Sequence, residues 1–141
     1  MAYQLLLELL PAMPPLILIV EDDTATRQSL RTILEQEGVE VHEAPDGERA
    51  IGALARFHYD AIILDIALPR MSGTDVMEYI ASTTPEILTS VVVVTGLEMH
   101  EVRNLFPQIS ETLSKPVSPS RLLASLRRCL PPSRTAGTFV A

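Results

Sequence analysis

The chain has 141 residues, 47% of them hydrophobic and only 4% aromatic with no Trp, which suits one aliphatic core and argues against global disorder. A formal charge of −7, from 11 Lys and Arg against 18 Asp and Glu, argues against a nucleic-acid surface, since phosphate binding needs a cationic face. One cysteine, Cys129, can form neither an internal disulfide nor a zinc site, so nothing points to an oxidising compartment.

The first apolar stretch, Leu5–Val20, carries Glu8 and three prolines, Pro11, Pro14 and Pro15. A membrane-spanning helix needs about 20 mostly apolar residues, and a signal peptide begins with cations that this N-terminus lacks. A soluble, cytoplasmic protein without membrane insertion is expected. Within that stretch, Leu5–Leu10 reads either as an apolar helix docked on the domain or a partner, or as a frayed lead-in.

From Leu16 onward, short apolar runs alternate with segments of helical period. Leu16–Val20 is five aliphatics ending in Glu21, Asp22 and Asp23, the pattern of a buried strand with an acidic tip. Thr24–Glu37 follows as a helix with Leu30, Ile33 and Leu34 on one face and Gly38 as its stop. Val39–Glu43 alternates as an edge strand with one wet face does. Asp46 and Gly47 open a second helix carrying Ala50, Ile51, Leu54 and Ala55, and Tyr59–Ile66 is a third strand interrupted only by Asp65.

Leu68–Gly73 is loop-like, and Thr74–Ser82 is a helix with Val76, Met77 and Ile80 inward. The four β-branched residues Val91–Val94 form a fourth strand. A shorter helix is expected over Glu98–Phe106, ended by Pro107, then a weak fifth strand over Thr112–Ser114. Pro119–Leu130 is a last helix with Leu122, Leu123, Leu126 and Leu130 on one stripe.

Five alternations of strand and helix predict an α/β fold. It has a five-stranded parallel sheet with helices on both faces, because each right-handed crossover covers one face. The expected division is an N-terminal extension at 1–14, one domain at 15–130 and a flexible tail at 131–141, neither end long enough for an output domain.

In such a sheet the binding crevice lies beyond the carboxyl ends of the strands. With strand order 2-1-3-4-5, Glu21, Asp22, Asp65, Thr95 and Lys115 converge there. A lone carboxylate in the run around Asp65 is expensive as a purely structural feature. Glu21 and Asp22 also read as helix-capping acids, Thr95 as an ordinary strand end, and Lys115 as a solvated loop residue; it is their company that favours a site. Clustered carboxylates need a cation, and an oxygen-only set with no nearby His or Cys favours Mg²⁺. The cation and the Lys115 ammonium would attract a phosphoryl group, with a central carboxylate as nucleophile giving an acyl phosphate.

Glu21 and Asp22, Asp65, Thr95, and Lys115 before Pro116, with Pro69 and Gly73 after the central Asp, resemble the receiver domain of two-component response regulators. The resemblance covers about residues 16–130 and implies the flavodoxin-like receiver fold. It implies that Asp65 is the phosphoacceptor, with Mg²⁺ held by Asp22, Asp65 and the Ala67 backbone carbonyl, and by Glu21 through water. Thr95 would bond the phosphoryl oxygens and move on activation; Lys115 would pair with the phosphate. The implied donor is a sensor histidine kinase or phosphotransfer protein, and the output is contact with a downstream protein target; homodimerisation is left open. Such a chain is a signalling phosphoacceptor, not an enzyme acting on other substrates.

Asp23, one place past the acidic pair, is expected as the cap of the first helix. Two departures from the family bear on switching. Thr112 stands where receivers carry an aromatic residue three before the Lys, and the stretch from Thr95 to Lys115 is slightly short. These motivate an alternative, a phosphorylation-independent receiver-like adaptor. A small phosphatase with an Asp nucleophile ranks last, because Ala67 stands where its general acid would be. His42, His58 and His100 share no spacing with the acidic set, Cys129 reads as packing, and Arg121, Arg127 and Arg128 as a solvated helix face.

Overall fold

A computed structural model describes residues 2–9, 13–96, 103–104, 106–109 and 111–130. The chain runs α1 (Ala2–Leu9), β1 (Leu16–Val20), α2 (Thr24–Gln36), β2 (Glu40–Ala44), α3 (Gly47–Arg56), β3 (Ala61–Asp65) and α4 (Gly73–Thr83). A 3₁₀ turn at Pro85–Ser90 leads to β4 (Val91–Thr95), then β5 (Glu111–Ser114) and α5 (Pro119–Cys129). All four strand pairs are parallel, as expected from the alternation, and the order is the expected β2-β1-β3-β4-β5.

Side chains of the three central strands alternate between two cores, as period-2 geometry demands. Leu18, Val20, Ile62, Leu64, Val91 and Val93 face α3 and α4, where Ala50, Val76, Met77 and Ile80 close the layer. Ile17, Ile19, Ala61, Ile63, Val92 and Val94 face Leu30 and Leu34 of α2 and Leu122, Leu126 and Leu130 at the end of α5. Strands wet on neither face explain the unbroken aliphatic runs.

Helix starts follow their caps. Asp23 accepts from the Thr26 backbone N–H at 2.8 Å, as expected, and Asp46 accepts from Arg49 N–H at 2.8 Å. Ser72 and Asp75 form a reciprocal capping box on α4. Gly38 closes α2 with φ of 79°, a conformation costly for residues with a Cβ.

Several boundaries shift for identifiable reasons. The Val39 N–H still bonds the Leu34 carbonyl of the preceding helix, so β2 begins at Glu40, where the N–H reaches Pro15. Tyr59 and Asp60 fall outside β3, and the Asp60 carboxylate instead accepts from the Leu16 N–H at 2.8 Å, tying down the start of β1. The 3₁₀ turn is an element the sequence pattern did not suggest. Most of the predicted helix at Glu98–Phe106 and all of the 131–141 tail lie outside the described residues. In α1, Tyr3 and Leu5 are exposed. No helix among the described residues is long and apolar enough to cross a membrane.

Candidate functional site

The carboxyl ends of β1, β3 and β4 are adjacent in the sheet, so the residues just beyond them meet. Val20 of β1 lies opposite Leu64 of β3, which puts Glu21 beside Asp65. Asp65 in turn lies opposite Val94 of β4, with Thr95 one residue further. Glu21, Asp65 and Thr95 are all buried, at 2%, 3% and 1% exposure, an unusual set for strand ends. Among the described residues, Glu21, Asp22 and Asp65 each offer a carboxylate oxygen within 4.8 Å of the other two, and Asp22 is exposed at the mouth.

Lys115 enters from the fifth strand. Its backbone N–H bonds the Thr95 carbonyl at 3.1 Å, and its peptide bond to Pro116 is cis. The ammonium donates to Glu21 Oε1 at 2.8 Å, Glu21 Oε2 at 3.1 Å and Asp65 Oδ2 at 2.8 Å. One cation therefore bridges two buried carboxylates that stand 44 residues apart in the chain.

The electrostatics follow. Burial, with the neighbouring Asp65 adding to it, pushes the Glu21 carboxyl up to about 7 against the opposing pull of Lys115. Burial disfavours the charge on Lys115, but the hydrogen bonds to Asp65 and Glu21 outweigh it and hold the ammonium above its usual range. A pocket of three carboxylates and one ammonium is short of positive charge, and its oxygen-only donor set fits a hard divalent cation.

The segment after Asp65 is shaped by close packing. The Asp65 Oδ1 accepts from the Ala67 N–H at 3.0 Å, which fixes the carboxylate's orientation. The Ile66 carbonyl accepts from both Leu68 N–H and Gly73 N–H. A Cβ on Gly73 would sit 2.5 Å from the Asp65 carbonyl oxygen and 2.5 Å from Ile66 Cα, so only glycine lets α4 start this near the central carboxylate. Arg70, in the same loop, has φ of 63°, a left-handed conformation that glycine would hold with less strain.

Glu21, Asp22, Asp65 and Lys115 are thus brought to one pocket, with Thr95 at the adjacent strand end. Thr112, at the position where an aromatic residue was expected of a receiver, accepts a hydrogen bond from Arg103 Nη2 at 3.2 Å. His42 lies away from the pocket, its Nδ1 hydrogen-bonded to the Tyr59 hydroxyl at 2.8 Å. Cys129 packs against the core on the α2 and α5 face, and burial pushes its thiol up to about 12. The arginines of α5 are not simply a solvated face: Arg128 grips Glu111 of β5 through two bonds of 2.7 and 2.9 Å and holds that carboxyl below its ordinary value. Sequence reasoning missed Arg27 and Glu43, which support the acidic loop from behind. Their residue types carried no signal without the register of β2 on β1.

A parallel sheet of this order with an acidic pocket at its switch point defines a doubly wound α/β fold of the flavodoxin-like kind. Residues 17–127 match the family model described as the response regulator receiver domain, and the chain belongs to that family. The response regulator MprA of Mycolicibacterium vanbaalenii is 35% identical over 118 residues, covering 84% of this chain and 51% of that protein. MprA of Mycobacterium leprae is 35% identical over 114 residues, covering 81% and 50%. The chain therefore spans about half the length of the curated relatives it matches.

Among solved structures, a CheY-like receiver domain protein from Methanospirillum hungatei superposes with TM-score 0.73 at 32% identity, over 81% of this chain and 91% of that one. The chemotaxis protein CheY4 of Vibrio cholerae gives 0.75 at 27%, over 83% and 99%. The response regulator TrrA of Thermotoga maritima, solved in complex with Mg²⁺ and BeF, gives 0.74 at 26%, over 82% and 99%.

Proposed function

We propose that the chain is a phosphoacceptor switch in a two-component phosphorelay, taking a phosphoryl group on Asp65 from the phosphohistidine of a sensor kinase or phosphotransfer protein. The observation that carries this is the Lys115 ammonium bridging Glu21 and Asp65 beside the Asp22 carboxylate. Such an arrangement stores a buried carboxylate nucleophile next to an ammonium, and a divalent cation added to it would offset the remaining carboxylate charge so that a phosphoryl group could approach.

Asp22, Asp65 and the Ala67 carbonyl would hold Mg²⁺, with Glu21 reaching it through water. A divalent ion there supplies charge neutralisation for the phosphoryl oxygens. The protein's own groups do the rest. An Asp65 carboxylate oxygen attacks phosphorus as the N–P bond to the donor imidazole breaks, and the imidazole leaves with the bonding pair and takes up a proton. The Ala67 N–H orients the attacking carboxylate, Lys115 transfers its bonds from Asp65 to a phosphoryl oxygen, and the Thr95 hydroxyl accepts a place next to another. The product is an acyl phosphate, and its effect passes to a downstream protein by contact. Turnover is limited to the chain's own phosphorylation and dephosphorylation, in the cytoplasm.

A groove of about 540 Å³ adjoins Lys115, lined by Leu30 and Ile33 of α2 and by Pro116 and Val117. Its apolar floor beside Lys115 suits a helix of the phosphoryl donor. The adaptor alternative draws on Thr112, which stands in place of the family's aromatic residue and accepts a bond from Arg103.

Beryllofluoride with Mg²⁺ mimics the acyl phosphate. Amide shifts should move around Asp65, Thr95 and Lys115 and along β4 and β5 in the wild type and be absent in Asp65→Asn. Shifts confined to the pocket would favour the adaptor, and none at all would remove the phosphoacceptor role.

A further inference from the structure

Behind the acidic pocket lies a second charged assembly, built by α2 and the edge strand. Arg27, in the first turn of α2, folds its side chain back under the β1–α2 loop. Its Nη1 donates to the backbone carbonyls of Glu21 at 2.9 Å and Asp22 at 3.3 Å, and its Nε donates to Glu43 Oε1 at 3.1 Å. The other Glu43 oxygen is gripped by Arg31, whose Nη2 also reaches the Val41 carbonyl at 3.2 Å. Arg27 and Glu43 are 16% and 25% exposed, so both are held within the fold rather than waving in solvent.

The two carbonyls belong to the residues whose carboxylates face Asp65. A guanidinium is rigid and planar, so bonding both carbonyls and Glu43 at once fixes the direction of the peptides it touches. Glu43 does two things here. It locks the guanidinium in place, and it cancels a positive charge that would otherwise stand close to a cation pocket.

We propose that Arg27, anchored by Glu43, is a positioning residue for the acidic loop, setting the Glu21 and Asp22 carboxylates in the geometry a divalent cation requires. This rests on reading the pocket as a cation site. It extends that site outward, from the ligands to a clamp on the edge strand.

The sign of one effect separates positioning from bare electrostatics. If Arg27 acted only as a nearby positive charge, its removal would tighten cation binding. If it positions the loop, its removal weakens binding although a repelling charge has gone.

The test is binding of Mn²⁺ to the full chain, read by electron paramagnetic resonance of the free ion, with Mg²⁺ as competitor. The proteins are the wild type, Arg27→Gln, Arg27→Lys and Glu43→Gln. Glu35→Gln, which loses only the exposed ion pair with Arg31, is the control. Loss of an outer-shell partner typically weakens metal binding roughly 10-fold or more. About that loss is expected for Arg27→Gln and Glu43→Gln, partial rescue for Arg27→Lys, and none for Glu35→Gln. The double variant should lose no more than either single one, because the two residues act as one clamp.

Wild-type affinity or tighter in Arg27→Gln overturns the proposal. Should Arg27→Gln fail to fold, undiminished binding by Glu43→Gln overturns it equally. A wild type that binds neither ion overturns the cation-site reading itself, an outcome distinct from equal binding by all variants.

Discussion

Replacing Lys115 by Met keeps most of the aliphatic stem and removes the ammonium with its charge. The three bonds from its ammonium, at 2.8, 3.1 and 2.8 Å, are lost, and Glu21 and Asp65 are left facing each other. Breaking a buried ion pair costs about 3–5 kcal/mol when the surviving charge has no relief. Here relief exists on two counts. Lys115 is 29% exposed, so its own bonds are partly screened, and Glu21 can take up a proton. A loss of about 2–3 kcal/mol is expected at mildly alkaline pH, or roughly 10 °C in Tm for a domain of this size.

The loss should shrink at mildly acidic pH, where one carboxyl is protonated in both proteins. Millimolar Mg²⁺ should shrink it too, by replacing the missing cation. Urea unfolding followed by circular dichroism, at both pH values and with Mg²⁺ or EDTA, measures all of this. A destabilisation below about 1 kcal/mol, or one independent of pH and Mg²⁺, would refute the reasoning, because a buried unpaired carboxylate must respond to both.

Three further outcomes follow from the structure. Burial holds the proton on Glu21 up to about 7 in the fold, against 4.5 for a free glutamate, so the folded state binds more protons across that window. The metal-free protein should therefore lose stability as pH rises from about 4.5 to 7 and level off above it, a slope that Glu21→Gln removes in urea titrations. Cation binding, which needs the ionised carboxylate, should strengthen over the same rise and release protons, seen as buffer-dependent heat in calorimetry. Gly73→Ala should cost about 2–3 kcal/mol by thermal melting and slow phosphorylation more than the conservative size change suggests, because the new methyl meets the Asp65 backbone. Asp23→Ala should lower the melting temperature only slightly, through loss of a helix cap, leaving phosphorylation intact.

Much of this was legible in the sequence because the strands are buried on both faces. Runs such as Ile17–Val20 and Val91–Val94 need no partner to be recognised, and a polar residue breaking such a run, as Asp65 does, stands out. The parallel sheet followed from the alternation, while the meeting of Glu21, Asp22, Asp65 and Lys115 needed the strand order as well, which the alternation alone leaves open. What stayed hidden depends on register or on local geometry rather than on pattern. Arg27 and Glu43 meet only because Glu43 pairs with Ile19 across β1 and β2. Arg128 finds Glu111 because α5 packs over the last strand, and no spacing announces a contact between elements. The turn at Pro85–Ser90 carries too few apolar residues for a periodic signal, although Leu88 is buried. The Gly73 contact with Asp65 reflects the path of a loop, which the chain fixes only in three dimensions.

The most direct measurement is mass spectrometry of the intact chain after incubation with acetyl phosphate. The phosphoacceptor role predicts one added phosphoryl group in the presence of Mg²⁺, lost with EDTA, lost in Asp65→Asn, and mapped to Asp65 after borohydride reduction. An unmodified wild type, or equal modification of Asp65→Asn, would contradict it.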